Sequence, residues 1–268
     1  MTELRTKRYR ALFISDVHLG TRGCQADKLL DLLRHHEADT VYLVGDIVDG
    51  WALRSGWYWP QSHNDVVQKL LRQARKGARL IYIPGNHDEF LRDYYGTHFG
   101  GIEVVESAIH VNAQGKRFLV VHGDLFDIVV TQARWLAHLG DKAYDVALTL
   151  NRLFNAFRRV VGAPYWSLSK WAKHKVKNAL NFIGAFEQAL VTAARRQDAD
   201  GVICGHIHTP AIHDHFGLRY VNCGDWVESC TAIGERSDGT FEIITWTQGL
   251  DRATDTAPAF ALAEPQAA

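Results

Sequence analysis

Five short segments are dense in groups that bind cations or move protons: Asp16-Val17-His18, Gly45-Asp46-Ile47-Val48-Asp49, Gly85-Asn86-His87-Asp88, His122-Gly123-Asp124 and Gly205-His206-Ile207-His208. Their carboxylate, amide and imidazole donors suit Mn²⁺, Zn²⁺, Fe or Co²⁺ and disfavour chemistry that selects thiolates. The candidate ligands are Asp16, His18, Asp46, Asn86, His122, His206 and His208. A carboxylate shared by two cations relieves their mutual repulsion, and Asp46 suits that bridging place. Residues i and i+2 of an extended segment point the same way. On that spacing Asp16 and His18 are expected to chelate as a pair, and His206 and His208 as another, if the chain stays extended. Each segment alone is commonplace: a Gly-Asp after a strand is usually a turn or a helix start, and Asn tolerates tight turns. All five in one chain, each following an apolar run, are far more specific.

Those apolar runs imply the elements that must hold the groups in place. Tyr9–Ser15, Val41–Val44 and Arg79–Ile83 have the texture of buried strands. Helical spacing fills Lys28–His36 and Val66–Arg75 between them. Strand, helix, strand, helix, strand implies a parallel sheet with crossover helices, whose chemistry collects at the carboxyl ends of the strands. Shorter strands follow at Glu103–Glu106, Ala108–Val111 and Arg117–Val121, the last two joined at Ala113-Gln114-Gly115. After a long helical stretch, strands return at Gly201–Cys204, Ala211–His213, Arg219–Cys223 and Phe241–Trp246.

Composition sets the outer bounds. The 268 residues are 47% apolar and 22% charged with a formal net charge of +0, ordinary for a globular enzyme and no signature of a polyanion partner. Cys24, Cys204, Cys223 and Cys230 lack CxxC spacing and read as free thiols in a reducing compartment, with a Cys223–Cys230 bridge as the alternative. Ala11–Ile14 is too short for a signal peptide, and no stretch reaches the length of a membrane span. The expected location is the cytoplasm, or the inner face of a membrane as a peripheral protein. From Thr254 onward Ala, Pro and acidic residues run without periodicity, and 251–268 is taken as a flexible tail.

The patterns D-x-H, G-D-x-x-D, G-N-H-D, H-G-D and G-H-x-H-x-P, the last ending at Pro210, together resemble the signature of the calcineurin-like metallophosphoesterases. The resemblance runs from around Arg10 to Trp246 and misses no ligand position. It implies an α/β fold: a four-layer α/β/β/α sandwich of two mixed sheets over 1–250, with a helical cap insertion at 125–196. It also implies two metals about 3.5–4 Å apart. By the same resemblance one metal takes Asp16, His18, Asp46 and His208, and the other Asp46, Asn86, His122 and His206. Two divalent cations, Mn²⁺ foremost, would offset the charge that shields a phosphoester and activate a water. His87 is the candidate proton donor to the leaving oxygen, and Asp49 matches the family's partner for that histidine.

The stretch between His122 and His206 is longer than one crossover needs. Val146–Phe186 holds no Asp or Glu, but carries Arg152, Arg158, Arg159, Lys170, Lys173, Lys175 and Lys177 among aliphatic and aromatic residues. That mixture suits a lipid-linked phosphate or pyrophosphate and an anionic membrane surface, and fits nucleic acid less well. Arg158, Arg159, Trp166 and Trp51, which follows Asp49 closely, are the candidate substrate contacts. Ser15 to Gly20, the helical insertion and the chain length resemble in particular the UDP-2,3-diacylglucosamine pyrophosphohydrolase group of lipid A synthesis. That group usually carries Arg where this chain has His87; an arginine supplies fixed charge, whereas a histidine can donate a proton. The competing expectations are a phosphodiesterase of soluble nucleotides and a non-catalytic scaffold, the latter at odds with a complete ligand set.

Overall fold

The structure is a computed structural model that describes residues 6–126, 183–247 and 250–253. Its contacts divide the chain into two compact units, 1–123 with 191–268, and 124–190. In the first unit, eight strands form one mixed sheet: β1 (Lys7–Ile14), β2 (His36–Val44), β3 (Arg79–Ile83), β4 (His98–Phe99), β5 (Ile102–Val104), β11 (Thr231–Glu235), β12 (Phe241–Thr247) and β13 (Leu250–Ala253). Their order is β13-β12-β11-β1-β2-β3-β5-β4. β1, β2, β3 and β5 run parallel, while β11 lies antiparallel to β1. The second sheet orders β6 (Ala108–Val111), β7 (Arg117–Val120), β8 (Gly201–Cys204), β10 (Leu218–Asn222) and β9 (Ala211–His215), with β7, β8 and β10 parallel.

Alternation along β1 explains why both faces of the large sheet are dry. Leu12 and Ile14 join Val41, Leu43, Leu80 and Tyr82 in a core with helices α1 (Ala26–His35) and α3 (Gln61–Arg75). Those helices contribute Leu29, Leu32 and Leu33, and Val66 and Leu70. On the other face Ala11 and Phe13 join Tyr42, Val44, Ile81 and Ile83 against Phe118, Val120, Ile203 and Val221 of the small sheet. Two mixed sheets with helices are the α/β architecture expected. Each fully buried Leu here contributes about 1.5–3 kcal/mol, so the sandwich is a stiff base for the loops at its rim.

Some expectations shift. α3 begins at Gln61 rather than Val66, and a short helix α2 (Gly50–Ser55) follows β2. β11 was not expected, and pairing of β13 with β12 carries regular structure to Ala253, beyond the residue 251 assigned to the start of the tail. All four cysteines are free, so Cys223 and Cys230 form no bridge. The expected cap falls largely outside the described residues; of it the structure describes the 3₁₀ turn Asp124–Phe126 and helix α4 at 183–196.

Candidate metal centre

Every candidate ligand lies just past the carboxyl end of a parallel strand. Asp16 and His18 follow β1, Asp46 and Asp49 follow β2, Asn86 and His87 follow β3, His122 follows β7, and His206 and His208 follow β8. The backbone there is not extended. Asp16, His18, Asp46, His206 and His208 all have left-handed φ values, between 51° and 72°. Strand alternation therefore does not set their side chains: Asp16 and His18 still meet in one group, while the pairing of His206 with His208 expected from i, i+2 spacing is corrected. His206 and His208 point into different groups, because a left-handed residue turns the chain instead of continuing the pleat.

The two groups are compact. Ligand atoms of Asp16, His18 and His208 lie within 4.8 Å of one another, as do those of Asp46, His122 and His206. His208 Nε2 is 3.1 Å from Asp16 Oδ1. Asp46 Oδ2 sits 3.4 Å from His122 Nε2 and 4.0 Å from both His18 Nε2 and His87 Nε2, between the groups. The Nδ1 of His122 lies 2.9 Å from the Val44 carbonyl. A carbonyl only accepts, so Nδ1 carries the hydrogen and Nε2 turns its lone pair toward Asp46. Two glycines make room: a methyl on Gly45, whose φ is +75°, or on Gly85 would collide with the His122 ring.

Donor chemistry and burial both fit cations. Both side-chain amide atoms of Asn86 and the Nε2 of His18 are buried without a hydrogen-bond partner. Unmet polar atoms in such places cost about 1–3 kcal/mol each, a cost that a bound cation would offset at the acceptor atoms.

Charge follows the same logic. Burial works to raise the Asp46 carboxyl, yet His122 and His87 beside it hold it well below the usual carboxylate range. Asp16 is likewise buried and likewise held low, by His208 and His122. Burial alone would lower the His208 imidazole, but its Asp16 partner raises it. Burial also opposes ionisation of Asp49, and is outweighed by His18, His87 and the Ala52 N–H.

Cross-loop bonds hold this geometry. Asp16 N–H donates to the Gly45 carbonyl at 3.0 Å, His18 N–H to Asp46 O at 2.9 Å, and His206 N–H to Asp16 Oδ2 at 2.9 Å. Sequence reasoning gave no role to Asp88, which is buried and accepts from Ile47 N–H at 2.8 Å, Gly85 N–H at 2.5 Å and Tyr82 O–H at 2.5 Å. It ties the loop after β2 to the loop after β3. Burial, then the nearby Asp46 charge, pushes its carboxyl upward. Asp225 was also missed: its Oδ1 takes the Val227 and Glu228 N–H groups, shaping a turn whose Trp226 N–H bonds the Asp16 carbonyl at 2.9 Å. No residue-type signal separates such an Asp from an ordinary turn residue.

His87 and Asp49 do meet, with Nδ1 2.9 Å from Oδ2. The Trp51 ring packs on His87 at 4.3 Å, its Nε1–H donates to Glu89 at 3.1 Å, and the residue is 43% exposed. Arg158, Arg159 and Trp166 lie outside the described residues.

A dinuclear arrangement at the carboxyl ends of two face-to-face mixed sheets defines a metallophosphoesterase, and the calcineurin-like phosphoesterase family model matches residues 9–210. The chain belongs to that family and is a metal-dependent hydrolase of phosphoester or pyrophosphate bonds. Among characterised sequences it is similar to the UDP-2,3-diacylglucosamine hydrolase of Aeromonas hydrophila, 28% identical over 241 residues and covering 83% of this chain and 92% of that one. The Xanthomonas campestris enzyme of the same name is 29% identical over 241 residues, covering 85% and 96%. The Nitrosococcus oceani one is 27% identical over 239 residues, covering 85% and 91%. Among solved structures, the phosphoesterase Yfce from E. coli aligns with 14% identity and a TM-score of 0.48, covering 91% of this chain and 96% of that one.

Proposed function

We propose that this enzyme hydrolyses the pyrophosphate of a lipid-linked nucleotide sugar of the UDP-2,3-diacylglucosamine kind, releasing uridine monophosphate and an acylated sugar phosphate. The observation that carries the reading is the pair of ligand groups joined through Asp46, with His87 and Asp49 beside them, in a chain whose relatives bear that substrate in their names.

Asp16, His18, Asp46 and His208 would hold one divalent cation, and Asp46, Asn86, His122 and His206 the other; Mn²⁺ is the expected metal. Such cations supply charge neutralisation at phosphorus and a water of lowered pKa. The chain's own residues do the rest. His87, held by Asp49, delivers a proton from Nε2 to the leaving oxygen. Trp51 packs against the face of His87 and keeps it from swinging out. Arg158 and Arg159 engage phosphate or an anionic membrane surface, and Trp166 with its aliphatic neighbours takes the acyl chains. Among the described residues no helix is long and apolar enough to cross a membrane.

His87, standing where the lipid A group usually has Arg, supports a second reading: a phosphoester with a poorer leaving group, such as a soluble nucleotide diester. One assay separates them. With Mn²⁺ added, activity is measured against UDP-diacylglucosamines of graded chain length and against soluble nucleotide esters. Each enclosed methylene is worth about 0.8 kcal/mol, so KM should climb steeply as the chains shorten. Turnover indifferent to chain length, with faster cleavage of a soluble ester, would overturn the lipid reading in favour of the second.

A further inference from the structure

Gly20 lies two residues past His18 in the loop after β1, and its neighbours leave it little freedom. Its φ is +109°, and a methyl added there would lie 2.8 Å from Leu53 Cγ of α2, so only glycine fits without strain. The preceding residue is tied to the loop after β2: Leu19 N–H donates to the Ile47 carbonyl at 2.9 Å, and Asp49 N–H to the Leu19 carbonyl at 2.8 Å. Gly20 is buried, so its own N–H needs an acceptor inside the protein. That acceptor is His63 Nδ1, 3.0 Å away on the first turn of α3. An amide only donates, so Nδ1 offers its lone pair and the hydrogen of the ring sits on Nε2. Burial lowers this imidazole against the pull of Asp27, which keeps the ring neutral and the lone pair free.

The imidazole is itself braced. His63 is 2% exposed, and the Tyr58 and Trp59 rings meet it edge-on with centroids at 5.7 Å and 5.5 Å. Its backbone N–H donates to the Pro60 carbonyl at 3.1 Å. Arg22, two residues past Gly20, lies over the Tyr58 ring at 4.6 Å, so the contacts close a circuit through Gly20, His63, Tyr58 and Arg22.

We infer that His63 is a positioning residue: its Nδ1 fixes Gly20 and with it the loop that presents Asp16 and His18, so α3, which supplies no candidate ligand, sets the reach of one ligand group. The inference rests on the metal reading of the site given above. Its consequence is an asymmetry. Loss of the Nδ1 acceptor should loosen the group of Asp16, His18 and His208 and leave that of Asp46, His122 and His206 in place.

Three substitutions in the full-length chain separate the acceptor from the packing. His63→Asn puts a carbonyl oxygen where Nδ1 stands, His63→Gln puts it one bond farther out, and His63→Leu keeps apolar bulk with no acceptor. Amide exchange at Gly20 is read in metal-free protein by mass spectrometry with fragment resolution. It should rise about fivefold in His63→Leu and His63→Gln, as one lost hydrogen bond implies, and stay near the wild-type rate in His63→Asn. Calorimetric titration with Mn²⁺ should show one of two cations weakened about 10–100-fold in the first two variants, the usual range when a group holding the ligands from behind is lost. His63→Asn should bind both cations like the wild type. His63→Asn no better than His63→Gln overturns the inference, even where His63→Leu fails to fold. So does wild-type Gly20 exchange in His63→Gln, equal weakening of both cations, or Mn²⁺ affinities in His63→Gln within threefold of wild type. A wild type that takes up no Mn²⁺ but shows the same pattern of Gly20 exchange refutes the metal reading and leaves the hold on the loop standing.

Discussion

Replacing Gly85 by Ala tests how finely the loops are set, because this glycine is needed for space and not for backbone freedom. Its φ is not in the left-handed region, so an alanine backbone fits without strain. The added methyl, however, would lie 2.7 Å from His122 Cδ2 and Nε2 and inside the contact distance of Asp46 Oδ1. Ordinary contact begins at 3.4 Å, and both neighbours are buried side chains with no slack. Relief therefore demands that the Asp46 carboxylate, the imidazole or the β3 loop moves by about 1 Å, and misplacement of that size near the chemistry costs roughly 10²-fold in rate. The same overpacking should lower stability by about 1–3 kcal/mol. Gly56→Ala is the control, since a methyl there meets nothing within 4 Å. The assay is kcat with added Mn²⁺, metal content by elemental analysis, and Tm for all three proteins. Gly85→Ala with wild-type kcat and two bound metals would refute the reasoning, since the crowded pair would then be free to shift without consequence.

Three further outcomes are expected. Chelation should abolish activity and Mn²⁺ should restore it best; at a hundredfold excess over Kd, binding stabilises by about 2.7 kcal/mol, a rise of several degrees in Tm, and active enzyme with at most one tightly bound metal would count against the site. His87→Ala should keep both metals and lose about 10²–10⁴-fold in turnover, while Asp46→Ala should lose metals and turnover together; metal loss in the first variant would remove His87 from its role. Far from the site, burial works to raise the Glu242 carboxyl, but Arg236, Lys7 and Tyr9 draw it down to about 2. A depressed carboxyl stabilises above its unfolded pKa and loses that contribution as pH falls toward 2, on the order of 1 kcal/mol after solvent screening, so Glu242→Gln should show a shallower fall of Tm between pH 5 and pH 2 than the wild type.

Much of the sandwich was legible because buried strands in a parallel sheet are continuous apolar runs. β3 and β8 appear at the bounds their sequences suggest, and α1 is displaced by two residues at its start. β11 was not legible. Its sequence, Thr231-Ala-Ile-Gly-Glu235, contains a glycine and a buried carboxylate, both poor strand signals. Each has a cause remote in sequence. Gly234 faces the Tyr9 ring, where a methyl would clash, and Glu235 is met by Arg10, the Ala113 N–H and the His110 ring at 2.7 Å. Tertiary partners more than a hundred residues away turn a turn-like segment into a central strand.

The candidate ligands could be picked out by residue type but not by backbone geometry, and one fact accounts for both. Side chains at Asp16, His18, His206 and His208 were expected to follow strand alternation, yet these four and Asp46 all sit in left-handed backbone. Such conformations cost of order 1–3 kcal/mol apiece, so five of them together rival the 5–15 kcal/mol net stability of a whole domain. The cost is kept at its low end by residue type, since Asp and His enter the left-handed region several-fold more readily than most residues. It is then locked in by bonds that cross between loops: Asp16 N–H to Gly45 O, His18 N–H to Asp46 O, His206 N–H to Asp16 Oδ2 and Ile47 N–H to Asp88 Oδ2. Five of the candidate cation ligands are thus also residues that let the chain reverse direction where β1, β2 and β8 end. A β-branched substitution at any of the five would lose a donor and restore the full backbone cost in the same step.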